Sequence, residues 1–266
     1  MDFDYNQFKL SKYVDDFLVD NINNMASDFP NIQHINDVID PLKIDNFLTR
    51  SEYCDEDIRL CPSSHIDKLN IEQYFPWKPD INYNNLKIDD IGKFSITLPK
   101  KADSISRIIN SYCNNFNRQL IITDATAGAG GNVLSFCKYN YKVNAIEIDE
   151  ERYKLLQHNI TEYGYSVNIL NCDYLTVYEK LQQDIIFVDP PWGGINYKTI
   201  ENITLKLGDI SIEELCNKIS EKKLAKFTVL KLPFNYNLNH IKSVINLPFT
   251  LFKLKNIIII IVFNII

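Results

Sequence analysis

The stretch Asp189-Pro190-Pro191-Trp192-Gly193-Gly194 carries the most chemistry in the chain. An aspartate, two rigid prolines and an aromatic suit a reaction at an exocyclic amine of a purine. Such an amine is a poor nucleophile, because its lone pair is delocalised into the ring. Acceptors at the Asp189 carboxylate and the Pro190 carbonyl would take hydrogen bonds from it, favour a pyramidal nitrogen and aim the lone pair. The prolines fix φ and so hold both acceptors still. Trp192 would stack on the base, and indole makes the strongest contact of any side chain with a cationic ring. Asp189 would also take the proton that nitrogen later loses. Asp189, Pro190, Pro191 and Trp192 are therefore the candidate catalytic residues. Alone, the same stretch would also fit a proline-rich turn after a buried strand, with Trp192 as a packing residue.

A second motif changes that weighting. Asp124-Ala125-Thr126-Ala127-Gly128-Ala129-Gly130-Gly131-Asn132 lies between an apolar strand and a helix. Glycines there let the backbone turn sharply and approach a ligand closely. A dinucleotide loop would do the same, but its spacing is G-x-G-x-x-G, and here the third glycine directly follows the second. Glu147 ends the next strand 23 residues after Asp124, placed to take both hydroxyls of a ribose. Asp149 shares that turn as the lesser candidate. Asp173 follows the third strand, where an adenine amine would be held. Three acids at successive strand ends, on one edge of a sheet, form a nucleoside site. With S-adenosylmethionine as the nucleoside, a sulfonium leaving group would make positioning the main contribution to rate.

These residues need a particular scaffold. Strands are expected at 120–123, 143–148, 167–170, 185–188 and 227–232, with helices at 131–139, 150–163, 175–181, 212–220 and 238–245 between them. Alternation of this kind means a parallel sheet with right-handed crossovers. The tail reads as two strands, 249–254 and 257–263, with Lys255-Asn256 at the turn, which requires one antiparallel strand. The Ile-rich 257–263 run is then a strand buried on both faces. The expected fold is α/β: a Rossmann-like seven-stranded, mostly parallel sheet with a C-terminal antiparallel hairpin over residues 76–266. Residues 1–75 read as a mostly helical N-terminal extension, with apolar positions Phe8, Tyr13, Phe17, Leu18 and Ile22 on one face and a second helix at 35–48 interrupted by Pro41.

Bulk properties bound the partners. A net charge of −6 over 266 residues argues against broad, sequence-independent binding to a DNA duplex, so a nucleic acid would be gripped at an end or a single nucleotide. The longest apolar run, 257–263, is far short of the roughly 20 residues of a membrane helix, and residues 1–5 show no secretory pattern. A soluble, intracellular monomer is expected, with nucleus or cytoplasm open. Cys54, Cys61 and His65 cluster, but without CxxC spacing or a second pair they read as free thiols and a histidine, not a metal site.

At this point the chain resembles a known family, the trimethylguanosine synthases, over roughly residues 90–236. The loop of residues 124–132 matches that family's D-x-x-x-G-x-G-G-N, and Pro190-Pro191-Trp192-Gly193-Gly194 is close to diagnostic. Gly92-Lys93-Phe94-Ser95-Ile96-Thr97, followed by a helical 102–109, matches the segment that lies over cofactor and cap. The resemblance implies S-adenosylmethionine as cofactor, with Thr97, Asp124, Ala125, Gly128, Gly130, Asn132, Glu147, Asp173 and Asp189 holding it. It implies a 7-methylguanosine-capped RNA as partner, methylated at guanine N2. Trp192 would stack on 7-methylguanine, Ser95 and Asn159 would contact the base or its surroundings, and Tyr197 would touch the cap phosphates. Two departures stand out. The family's usual Ser is Asp189 here, and its Leu-Pro-Arg-Asn is Leu232-Pro233-Phe234-Asn235, so a phosphate-binding arginine is missing. Lys231, Lys198 and Lys93 are candidate replacements. An internal RNA or DNA base amino-methyltransferase, acting on adenine N6 or guanine N2, is a competing reading. Adenine-N6 enzymes that carry DPPW ahead of their cofactor glycines are excluded by motif order. A catalytically silent cap-binding subunit is a third reading, against which Gly128, Gly130, Glu147 and Asp189 all stand intact.

Overall fold

A computed structural model describes residues 71–113 and 116–264. Most of the expected N-terminal extension, including Cys54, Cys61 and His65, lies outside the described residues. Within the compact unit Leu69–Ile266, the elements in chain order are α1 (Asp90–Ser95), α2 (Pro99–Ser111), β1 (Ile121–Asp124), α3 (Gly131–Lys138), β2 (Lys142–Glu147), α4 (Glu150–Glu162), β3 (Asn168–Asn171), β4 (Ile185–Val188), β5 (Lys206–Leu207), β6 (Ile210–Ser211), α5 (Ile212–Glu221), β7 (Phe227–Pro233), α6 (Leu238–Val244), β8 (Phe249–Leu254) and β9 (Ile257–Phe263).

Seven strands form one sheet in the order β3-β2-β1-β4-β7-β9-β8, and β5 and β6 pair as a small separate hairpin. Strands β3, β2, β1, β4 and β7 run parallel, while β9 is antiparallel to both β7 and β8. This is the expected Rossmann-like architecture, a mostly parallel sheet closed by a C-terminal antiparallel hairpin. Strand order reverses between β1 and β4, which opens a crevice at the carboxyl edge of the sheet. The glycine loop after β1 and the Asp-Pro-Pro-Trp turn after β4 flank that crevice.

Burial explains the strand composition. β4 is buried at every position, as are Ile257 to Val262 of β9, because the sheet is covered on both faces. The expected helix at 175–181 is instead a single 3-10 turn, Tyr174–Thr176. Asp173 caps that turn by accepting from the Leu175 N–H at 2.9 Å, and Val177 at φ −126° then leaves helical geometry. Tyr174 and Tyr178 turn into the core, and Gln183 donates to the Tyr178 carbonyl. The short α1 was not expected. Asp89 starts it by accepting from the Gly92 N–H at 2.9 Å.

Candidate active site

Each acid in the crevice is delivered by the end of a strand. Asp124 is the last residue of β1 and lies fully buried. Its Oδ1 accepts from the Thr126 N–H at 3.1 Å, and its Oδ2 has no hydrogen-bond partner. Burial, together with the charges of Asp189 and Glu147, pushes the Asp124 carboxyl up to about 8, against the pull of the Thr126 N–H and Lys231. A buried acceptor without a donor is costly unless something else fills the role.

The loop after β1 is tied to both neighbours. Ala125 donates its N–H to the Phe187 carbonyl and Ala127 to the Ile146 carbonyl, at 2.9 and 2.8 Å. Glu147 closes the loop from β2: Oε2 accepts from the Gly128 N–H at 2.8 Å and Oε1 from the Asp149 N–H at 2.9 Å. Arg152 lies 3.5 Å from the same carboxylate. Gly128 at φ +54° faces open space, where an approaching ligand would meet backbone. Gly130 at φ +101° ends the loop and caps α3. Asn132, in the first turn of α3, donates to the Thr97 hydroxyl at 3.1 Å, while its own Oδ1 is buried without a partner. Thr97 is thereby fixed over the loop by its side chain. Asp149 and Asp173 both act as helix or turn caps.

The opposite wall is the turn after β4. The Asp189 N–H donates to the Thr126 hydroxyl at 2.9 Å, coupling this turn to the glycine loop. Pro190 is buried and Pro191 exposed. Gly193 and Gly194 adopt φ +87° and +77°, a conformation other residues rarely take, which lets the chain double back after Trp192. Trp192 is half-buried against the core, with Tyr197 edge-on at 5.0 Å between ring centroids. Its indole Nε1 is buried without a full hydrogen bond.

Three of the expected substrate residues already have partners within the chain. Asn159 is fully buried. It accepts from the Lys87 N–H at 2.9 Å and donates to the Lys87 and Ala129 carbonyls at 2.8 and 3.2 Å. With both amide protons spent, it clamps the 76–88 segment to the glycine loop. Lys231 is buried and ion-paired with Asp189 at 2.5 Å, so it does not face out as a phosphate ligand. Ser95 lies at the exposed end of α1 and donates to the Ile91 carbonyl at 3.0 Å. Its neighbour Phe94 is 84% exposed. Thr126 and Arg152 were missed. Thr126 sits inside the glycine motif, but its role depends on the β1–β4 adjacency and is invisible in spacing.

A sequence model of the RNA cap guanine-N2 methyltransferases matches residues 119–260, more than half of the chain. The chain belongs to that family. It is 38% identical over 189 residues to an uncharacterised protein, L320, of Acanthamoeba polyphaga mimivirus, covering 62% of this chain and 74% of that one. It is 32% identical over 120 residues to the trimethylguanosine synthase of Schizosaccharomyces pombe, covering 41% of this chain and 48% of that protein. The match thus spans about half the length of that synthase. Among solved structures, a proposed methyltransferase from Porphyromonas gingivalis W83 superposes with a TM-score of 0.51 at 17% identity, over 66% of this chain and 43% of that one, which is a likeness of fold. This chain's glycine loop, strand-end acids and Pro190-Pro191-Trp192-Gly193-Gly194 turn all fall within residues 119–260. No helix among the described residues is long and apolar enough to cross a membrane.

Proposed function

We propose that this protein transfers a methyl group from S-adenosylmethionine to the exocyclic N2 of a 7-methylguanosine RNA cap. The observation that carries the reading is the pairing of Asp189 and Trp192 on one turn, joined through Thr126 to the glycine loop. An amine acceptor, a stacking surface and a nucleoside site then share one crevice. The residues fit the cofactor: Asp124 Oδ2 and Asn132 Oδ1 are buried acceptors without donors, on either side of a glycine loop whose Gly128 faces open space. Asp124 would hold the cationic amino-acid end, Glu147 the ribose and Asp173 the adenine. When bound, S-adenosylmethionine supplies a methyl group on a sulfonium leaving group.

The chain's own contribution is orientation and proton handling. Asp189 and the Pro190 carbonyl accept the amine N–H bonds and direct the nitrogen lone pair inward. Trp192 holds the base plane, with indole favouring a cationic 7-methylguanine. As nitrogen gains the methyl it sheds one proton, for which Asp189 is the adjacent acceptor. Asp189 in place of the family's Ser keeps internal guanine N2 or adenine N6 as the second reading. Mass spectrometry of products from 7-methyl-GTP, GTP and uncapped RNA tests the choice. One or two added methyl groups on 7-methyl-GTP and none on GTP are expected. Methylation of uncapped RNA with no product on any capped substrate would sink the cap assignment.

A further inference from the structure

The ion pair between Lys231 and Asp189 has consequences for the reaction itself. The two residues are neighbours through sheet register: Val188 of β4 pairs with Leu230 of β7, so the next residue on each strand meets across the sheet edge. Their side chains are 6% and 15% exposed, and Nζ reaches Oδ2 at 2.5 Å. The same ammonium lies 4.7 Å from the centroid of the Trp192 ring. Carboxylate, ammonium and indole therefore form one packed unit. A carboxyl group in so dry a place would otherwise keep its proton.

We propose that Lys231 is a positioning residue that holds Asp189 as an anion, occupies Oδ2, and leaves Oδ1 to accept the N–H of the acceptor amine. The proposal rests on the methyltransferase reading of this crevice but not on the cap as substrate. Asp189 faces Lys231 from β7, Lys101 from α2, Asp124 from β1 and the indole of Trp192 on its own turn. Burial leaves its carboxyl above the ordinary carboxylate value, and Lys231 is the strongest of the groups limiting that rise. A protonated Asp189 would donate where the reaction needs an acceptor, and could no longer collect the proton nitrogen releases. With a neutral Ser at this position, the need for a buried cation would disappear. Asp189 and Lys231 thus work as a pair, and neither is suited to the site alone.

The pair can be read without any substrate. Trp77 is 80% exposed and replaceable, so W77F makes Trp192 the sole tryptophan. A neutral carboxylic acid and a carboxylate quench a nearby indole differently, so the fluorescence of Trp192 follows Asp189. In W77F the transition should fall at lower pH than in W77F/K231M, by one pH unit or more, a tenfold change in proton affinity. The transition should vanish in W77F/D189S/K231M. In methylation assays, K231M should lose at least tenfold in kcat at pH 7 with KM changed less than threefold, and should recover part of it at pH 9. K231R should retain activity better than K231M. K231Q serves the same comparison if K231M does not fold. An unchanged fluorescence midpoint, or a transition in neither protein, would overturn the proposal. So would a rise in KM at constant kcat, the signature of a substrate-phosphate ligand. If wild-type protein made no product on capped substrates, the fluorescence result would still decide the ion-pair proposal by itself.

Discussion

Asp124 is a carboxyl group that the fold holds at a cost. Fully buried and raised to about 8, it keeps its proton across a range where the unfolded chain has lost it. The unfolded value is near 4, as for any aspartate. Between these limits the native state binds more protons than the unfolded state, so this group's contribution to stability falls as pH rises. The slope is about 1.4 kcal/mol per pH unit for one proton, and it levels off above about 8. Asp124→Asn should remove that slope from the pH dependence of urea unfolding measured between pH 5 and 8. An unaltered slope would show that Asp124 is ionised in the native state. The same residue should couple cofactor to protons. A cation brought beside Oδ2 would drive the proton off, so the calorimetric heat of S-adenosylmethionine binding at pH 7 should vary with the ionisation enthalpy of the buffer. In Asp124→Asn that variation should disappear, with affinity at least tenfold weaker.

At the scale of elements, the decisive contact lies between α3 and the α1–α2 junction. A Cβ on Gly131 would sit 2.6 Å from the Thr97 carbonyl oxygen and 2.7 Å from Ile96 Cγ1. Backbone cannot yield there as a flexible side chain would. Gly131→Ala should push the 95–97 segment off the glycine loop and break the Asn132–Thr97 hydrogen bond. A stability loss of about 1–3 kcal/mol, the usual range for overpacking, is expected. Cofactor affinity should fall with it, while Ala at the open Gly128 position would strain the chain only through its φ. Equal cofactor affinity in Gly131→Ala and wild type would show that Thr97 has no part in the site. The same elements explain what could be read from sequence. The Ile-rich β9 and the glycine loop were legible because burial on both faces and tight backbone turns leave local marks. α1 was not, since six residues held by the Asp89 cap and a close Gly92 have no periodicity to detect. The 3-10 turn at 174–176 misled because Tyr174, Tyr178 and Leu181, at i, i+4 and i+7, imitate a helical spacing. Asn159 was assigned through the family resemblance and Lys231 as a stand-in for the missing arginine, but their partners, Lys87 and Asp189, are set by chain segments 72 and 42 residues away.

For the molecule as a whole, charge decides how an RNA could be held. The chain carries 34 acidic against 28 basic side chains, so its summed field repels a polyanion at long range. Local cations run against that average at the carboxyl edge. Burial and the neighbouring charges of Lys231 and Lys255 lower the Lys101 ammonium from its ordinary value, which means that three cations crowd one another there. Lys231 is committed to Asp189, leaving Lys101, held to Asn256 at 2.9 Å, Lys255 in the β8–β9 turn and Lys198, 6.0 Å from the Tyr197 ring, as the candidates to meet phosphate. Two or three phosphates would satisfy them, and the body of an RNA chain would gain nothing more. The salt dependence of binding should therefore be shallow. With about 0.7 counterions released per phosphate of a single strand, log K against log salt should have a slope of about −2 or less in magnitude. A capped ten-nucleotide RNA should bind within threefold of 7-methyl-GTP at the same salt, as measured by fluorescence anisotropy competition. A slope of −4 or steeper, or a large gain from the added nucleotides, would mean that the protein tracks the RNA backbone. That outcome would favour a base inside the chain over the cap as the acceptor.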